Sequence, residues 1–183
     1  MMRLRTQKKL GQALATLLLG GLASLVPLAA QAQAQAVPAR VLPDVTLYDQ
    51  GGMVTTTRAL QQSGKWLLLV LDPRLPASDK LLKALAARQP AASWNEHLVL
   101  VVLGDAAAGG PVIARHGRLG GVVWLSDRDL GLRDALGLKV TPAIYAMNER
   151  NEVAWQLLGI PQPARIETML RQWVLVPAPA TGR

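Results

Sequence analysis

The stretch DPRLPASDKLLKAL, Asp72 to Leu85, follows the apolar run WLLLVL and holds the residues of this chain closest to a reactive set. An apolar strand, a proline-containing turn and an amphipathic helix form a setting in which a Cys-x-x-Cys pair acts as a redox couple. One low-pKa thiolate at the helix start attacks, and a second thiol resolves the mixed disulfide. Here Leu75 and Ser78 have that spacing, and the chain contains no cysteine. A leucine has no lone pair, no titration and no redox state, and a serine hydroxyl cannot resolve a disulfide. Thiol-based reductase or peroxidase chemistry by this polypeptide is excluded. Ser78 as an oxygen nucleophile would need a base in reach. His97, at the start of an expected strand, and His116, in a Gly-rich stretch, are the only histidines, and neither lies in a triad motif. Ser78 therefore reads as a first-turn or capping residue, His97 as an edge or surface histidine, and His116 as a loop histidine. Two isolated histidines without spaced carboxylates do not make a zinc site, so no metal and no other cofactor is expected. Asp72, ahead of Pro73, reads as a turn residue.

Those residues need a scaffold, and the N-terminus does not belong to it. MMRLRTQKK carries four bases (Arg3, Arg5, Lys8 and Lys9), an uncharged apolar stretch follows, and AQAQAQA offers small residues at alternate positions. This is the order of a secretory signal peptide, expected over residues 1–36 with cleavage after Ala32, Ala34 or Ala36. The apolar stretch is also about long enough for a retained membrane anchor, which Gly20, Gly21 and Pro27 dilute. Without the four leader bases, the formal charge of +8 drops to sixteen bases against twelve acids. The remaining bases are scattered, and two Tyr with no Phe leave little to stack on nucleobases, so nucleic-acid binding is a poor reading. About 150 mature residues bury enough surface to be stable without disulfides.

Residues 37–43 read as a linker and 177–183 as a disordered tail, leaving one domain over 44–176. VTLYDQGGMVTTT reads as two short strands, Val45 to Tyr48 and Met53 to Thr56, around a Gln-Gly-Gly turn. WLLLVL (Trp66 to Leu71) and HLVLVVL (His97 to Leu103) are apolar throughout, as central strands covered on both faces are. Between them, SDKLLKALAARQ sets Leu81, Leu82, Leu85 and Ala86 on one helical face, and Pro90 ends the helix. The next stretch, GDAAAGGPVIARHGRLGG, reads as mostly loop with at most a helical turn. VVWLSD is a strand, Ser126 or Asp127 caps the helix RDLGLRDALG, and Gly137 closes it. PAIYAM and VAWQLL flank a hairpin connection, and PARIETMLRQWV is a closing helix with Ile166, Met169, Leu170 and Trp173 inward. Trp66, Trp124, Trp155 and Trp173 read as core or half-buried, and Trp94 as a candidate for exposure. The pattern is α/β, with a mixed central sheet flanked by helices, a parallel crossover and an antiparallel hairpin edge.

Taken together, LPDVTLYDQGGMVTTTRAL, GKWLLLVLDPRLPASDKLLKAL and LGLKVTPAIYAMNERNEVAWQLLG resemble the thioredoxin-like superfamily, nearest its periplasmic thioredoxin-like reductase and alkyl-hydroperoxide-reductase-like branch. The likeness covers about Pro43 to Val174. It implies a thioredoxin-like fold, a lost Cys-x-x-Cys slot at Leu75 and Ser78, and a cis peptide bond before Pro142. It also implies a peptide groove that needs no sulfur, where Thr141 pairs its backbone with an extended client segment. The implied partner-binding residues are Arg74, Leu75, Pro76, Ala77, Ser78, Thr141, Pro142, Gly159 and Ile160, with no catalytic residue among them. The expected protein is a periplasmic, non-redox adaptor or assembly factor that binds a protein partner of the cell envelope and has no membrane contact after leader cleavage. The competing expectation is a structural subunit of an envelope complex for secretion, conjugation or respiratory assembly, using an outer face of the fold. A Ser78-dependent hydrolase is a third reading.

Overall fold

The structure is a computed structural model that describes residues 34–60, 64–88, 97–119 and 122–173. Its centre is β4 (Trp66–Leu71), flanked by β5 (Leu98–Leu103) in parallel and β7 (Ala143–Met147) in antiparallel register. Every residue of β4 and β5 is buried. Period-two geometry sends Leu67, Leu69 and Leu71 to one face and Trp66, Leu68 and Val70 to the other, where two separate cores form. The first core holds Leu81, Leu82 and Leu85 of α1 (Pro76–Ala86), Val112 of α2 (Ala106–Arg115), and Ile166, Met169 and Leu170 of α4 (Pro163–Trp173). The second holds Leu132 of α3 (Gly131–Leu136) together with Leu47 and Leu60. Burying each such leucine contributes about 1.5–3 kcal/mol, so both faces of the apolar strands are needed.

Beyond the centre, β6 (Val123–Asp127) runs parallel to β5 and β8 (Glu152–Leu158) antiparallel to β7. The hairpin of β2 (Thr46–Tyr48) and β3 (Val54–Thr56) joins β6 through a single pair, Tyr48 with Ser126. The expected mixed sheet with flanking helices is present. The stretch read as a linker is corrected at its start: residues 37–41 belong to β1 (Ala34–Val41), an antiparallel strand on β8 whose register shifts between Ala36 and Arg40. Pro38 lies in that shift, where its missing N–H breaks no ladder bond. The sheet order is thus β1-β8-β7-β4-β5-β6-β2-β3, with β1 and not β8 at one edge. Ala34 and Ala36, two of the expected cleavage positions, fall inside β1. The rest of the leader, Trp94 and the tail 177–183 lie outside the described residues.

The Gly- and Ala-rich stretch expected to be loop is mostly α2, a ten-residue helix. Asp105 caps it by accepting from the Ala108 N–H at 3.0 Å. Gly109 is buried where an added Cβ would lie 3.7 Å from Ser126 and Val102, so small residues let this helix lie close on β5 and β6. Of the tryptophans, Trp66 and Trp124 are core, and half-buried Trp155 and Trp173 meet edge to face with centroids 5.8 Å apart.

Candidate functional site

β4 ends at a turn that is closed by its own polar groups. The buried Asp72 carboxylate accepts the Arg74 backbone N–H at 3.0 Å, and receives Arg74 Nε at 3.0 Å and Nη2 at 2.9 Å as a bidentate pair. These hydrogen bonds hold the Asp72 carboxyl below the usual carboxylate range, against the opposing effect of burial. The Asp72 N–H in turn donates to Ser78 Oγ at 3.1 Å. Leu75, the residue before α1, is extended and makes no side-chain cap, while its carbonyl accepts the Ser78 N–H at 3.0 Å. Local bonding alone therefore places two neighbours oppositely: Ser78 is 1% exposed and Leu75 is 42% exposed.

The facing wall comes from α3 and the loop to β7. Asp127, at the end of β6, accepts the N–H groups of Leu132 (3.2 Å) and Arg133 (3.0 Å), so it caps α3 as expected, although the helix begins later than its sequence suggested. Gly137 takes the left-handed conformation at φ +62°, and the Leu138 N–H returns to the Arg133 carbonyl at 2.9 Å, turning the chain sharply. Lys139 and Val140 are left exposed, Val140 at 46%. The Thr141–Pro142 peptide bond is cis. Pro142 is buried and its carbonyl accepts the Gly159 N–H at 2.7 Å, whereas no hydrogen bond among the described residues engages the Thr141 backbone.

Between the two walls lies a cavity of about 380 Å³. Leu75, Leu103, Leu130, Leu138 and Val140 supply its apolar lining, and Asp72, Arg74, Arg133, Lys139 and Thr141 its polar lining.

No family model matches the chain, and no curated protein is detectably similar to it in sequence. Its backbone, however, superposes on solved structures. A protein described as a candidate thiol:disulfide interchange protein DsbE from Chlorobium tepidum matches with a TM-score of 0.62 and 16% identity, over 75% of this chain and 96% of the other. A secreted disulfide oxidoreductase of Mycobacterium tuberculosis matches at 0.55 and 15%, over 70% and 95%. StoA from Bacillus subtilis matches at 0.51 and 15%, over 73% and 98%. The chain has a thioredoxin-like fold.

In that fold the 72–78 turn occupies the strand-to-helix position expected of a Cys-x-x-Cys pair, with an exposed first position and a buried last one. Of the residues expected to bind a partner, Arg74, Leu75 and Thr141 line the cavity, while Pro76, Ala77, Ser78, Pro142, Gly159 and Ile160 do not. Ser78 is committed to the Asp72 N–H inside the domain, which removes it as an accessible nucleophile. Sequence reading missed Leu103, Leu130, Arg133, Leu138, Lys139 and Val140. Of these, Lys139 and Val140 were within reach of it, being the residues that precede Thr141-Pro142.

The exposure contrast gives a direct test of the turn. Leu75→Cys combined with Ser78→Cys is expected to form an intramolecular disulfide under mild oxidant, because the loop presents one thiol to solvent at a helix start and shelters the other. Free thiol titration after oxidation checks this; two free thiols would mean that the turn geometry no longer suits the pair.

A second polar cluster sits on the other side of α1. His116, expected in a loop, ends α2 and is only 5% exposed, with Nε2 2.9 Å from Asp79 Oδ1. His97, expected to be an edge or surface histidine, is half-buried just before β5. Lys83 Nζ, one turn along α1, lies 2.7 Å from Asp79 Oδ2, and Arg115 Nε 3.9 Å from Oδ1. These groups border a cavity of about 630 Å³ whose lining includes no hydroxyl, so the His–Asp pair faces no serine-type nucleophile there. Its role is to join α1 to α2. Lys83 first, then His116, draws the Asp79 carboxyl from its ordinary 3.8 down to about 2. A lowered folded-state pKa adds stability that is complete above the ordinary value and lost as pH falls through the folded one. Asp79→Asn should therefore lower the melting temperature at pH 5, with the gap to wild type closing between pH 4 and pH 2. A gap that persists unchanged at pH 2 would assign the effect to packing rather than charge.

Proposed function

We propose that this chain is a non-redox thioredoxin-fold protein of the periplasm that binds a protein partner in its groove, as an adaptor or assembly factor of the cell envelope. One observation carries the reading. In a chain with no sulfur nucleophile, an unengaged backbone at Thr141 borders a cavity whose rim exposes Leu75 and Val140. A backbone N–H and C=O without partners beside an apolar surface is what an extended peptide needs for short β-augmentation. Leucine in place of a thiolate suits retention of a client rather than turnover.

The experiment is affinity capture from periplasm with the exported chain, followed by titration of the purified partner. Leu75→Asp would place a carboxylate where it must be desolvated in the complex, at a cost of a few kcal/mol. Affinity should fall at least about tenfold while the melt stays unchanged. Thr141→Val should be nearly silent, because pairing there uses the backbone. Unchanged affinity of Leu75→Asp would move the partner to an outer face and favour a structural subunit of an envelope complex.

Export rests on the charged N-terminal segment, the apolar stretch and the alternating alanines. No helix among the described residues is long and apolar enough to cross a membrane. Mass spectrometry of the exported protein should find its first residue at Gln33, Gln35 or Val37, whereas an intact Met1 in the membrane fraction would support an anchor.

A further inference from the structure

We propose that the groove selects an extended segment in which carboxylate side chains flank an apolar residue, an inference that rests on the groove being the partner site. Three cations, Arg74, Arg133 and Lys139, line the cavity against one carboxylate, Asp72. That carboxylate is already saturated from within, since Arg74 gives it two side-chain hydrogen bonds and one from its backbone. Asp72 therefore has little left to offer a basic ligand. Arg133 shares a single oxygen of Asp134 through Nε and Nη2, both at 2.8 Å, and a guanidinium has five N–H donors. Lys139 is exposed and has neither an ion pair nor a hydrogen bond among the described residues. Lys139 lines the cavity two residues before Thr141, where a paired client backbone would run.

Exposed Leu75 and Val140 supply the apolar half of the recognition, since a client side chain lying across them removes both from water. A polyanionic nucleic acid would answer the charge but not the surface, because no aromatic ring lines the cavity to stack a base. Alternation of side-chain faces along an extended peptide allows one segment to meet both demands.

The test uses four probes titrated into the isotopically labelled exported chain, with the amide signals of Leu75, Lys139, Val140 and Thr141 as readout. Three are amidated eight-residue peptides that alternate valine with glutamate, glutamine or lysine, and the fourth is an eight-residue oligothymidylate. The glutamate peptide should bind about tenfold tighter than the glutamine peptide at low salt, as two exposed charge pairs supply, and the difference should shrink as salt is raised. Arg133→Gln with Lys139→Gln should reduce that preference to about twofold or less. Equal affinities of the glutamate and glutamine peptides at these four amides would overturn the acidic preference and leave the groove as a peptide site. Tighter binding of the lysine peptide or of the oligothymidylate would overturn it in favour of another ligand chemistry. Shifts from no peptide at these amides would overturn both the preference and the groove reading.

Discussion

Replacing Asp127 with alanine should destabilise the domain by about 2–4 kcal/mol, far more than an ordinary helix cap is worth. A lost N-cap costs about 0.5–2 kcal/mol at an exposed site. Here the side chain is fully buried and satisfies two N–H groups, those of Leu132 and Arg133, so alanine leaves both donors without a partner near the core. An unsatisfied buried donor adds about 1–3 kcal/mol. Asp127→Asn keeps one acceptor oxygen and should lose roughly half as much. Urea denaturation of the three proteins measures both steps. A loss under about 0.5 kcal/mol for alanine would show that α3 is held by Leu132 packing alone. Because α3 carries Arg133 to the groove, partner affinity should also fall in Asp127→Ala under conditions where the domain remains folded.

Leu69→Ala is expected to be comparably damaging for a different reason. Leu69 is fully buried at the middle of the central strand, in the core shared with α1, α2 and α4. Removing a core leucine costs about 2–5 kcal/mol, depending on how far the surroundings collapse into the space. Strands on both sides of β4 limit that collapse, so about 3 kcal/mol and a drop of roughly 10 °C in melting temperature are expected. Leu75→Ala, by contrast, removes a half-exposed side chain and should shift the melt by no more than a degree or two. The pair separates the two jobs of leucine in this domain: Leu69 holds it together, and Leu75 is presented outward. Equal shifts for the two variants would mean that Leu75 is part of the core after all.

The elements readable from the sequence were those specified locally. WLLLVL and LVLVVL are apolar at every position because both faces of β4 and β5 are covered, and α1 and α4 show their buried stripes as spacing. Misreadings arose where the deciding contact is distant in sequence. Gly109, Gly110 and Pro111 have loop composition, yet they lie inside α2, where Gly109 packs against Val102 of β5 and Ser126 of β6. His116 carries no local mark of burial, because its partner Asp79 lies 37 positions earlier on another helix. β1 gave no strand signal because Pro38 and the small alanines around it read as a linker, whereas an edge strand that pairs on one side can accommodate a proline. The groove was half legible. The turn from Asp72 to Ser78 and Thr141-Pro142 stand out as motifs, whereas the cationic wall follows from α3 folding back on Asp127 and Gly137.

The pairing of β1 with β8 also sets a schedule. β1 precedes every other strand among the described residues, yet its partners, Glu152 to Leu157, come more than a hundred residues later. Closing so long a loop is entropically costly, and a contact of that separation is slow to form. During synthesis, β1 must therefore wait until nearly the whole domain has been made, with the β8 edge still open. A bulky N-terminal fusion should hinder that last step and expose the β8 edge to other chains, whereas the same fusion after α4 should leave it undisturbed.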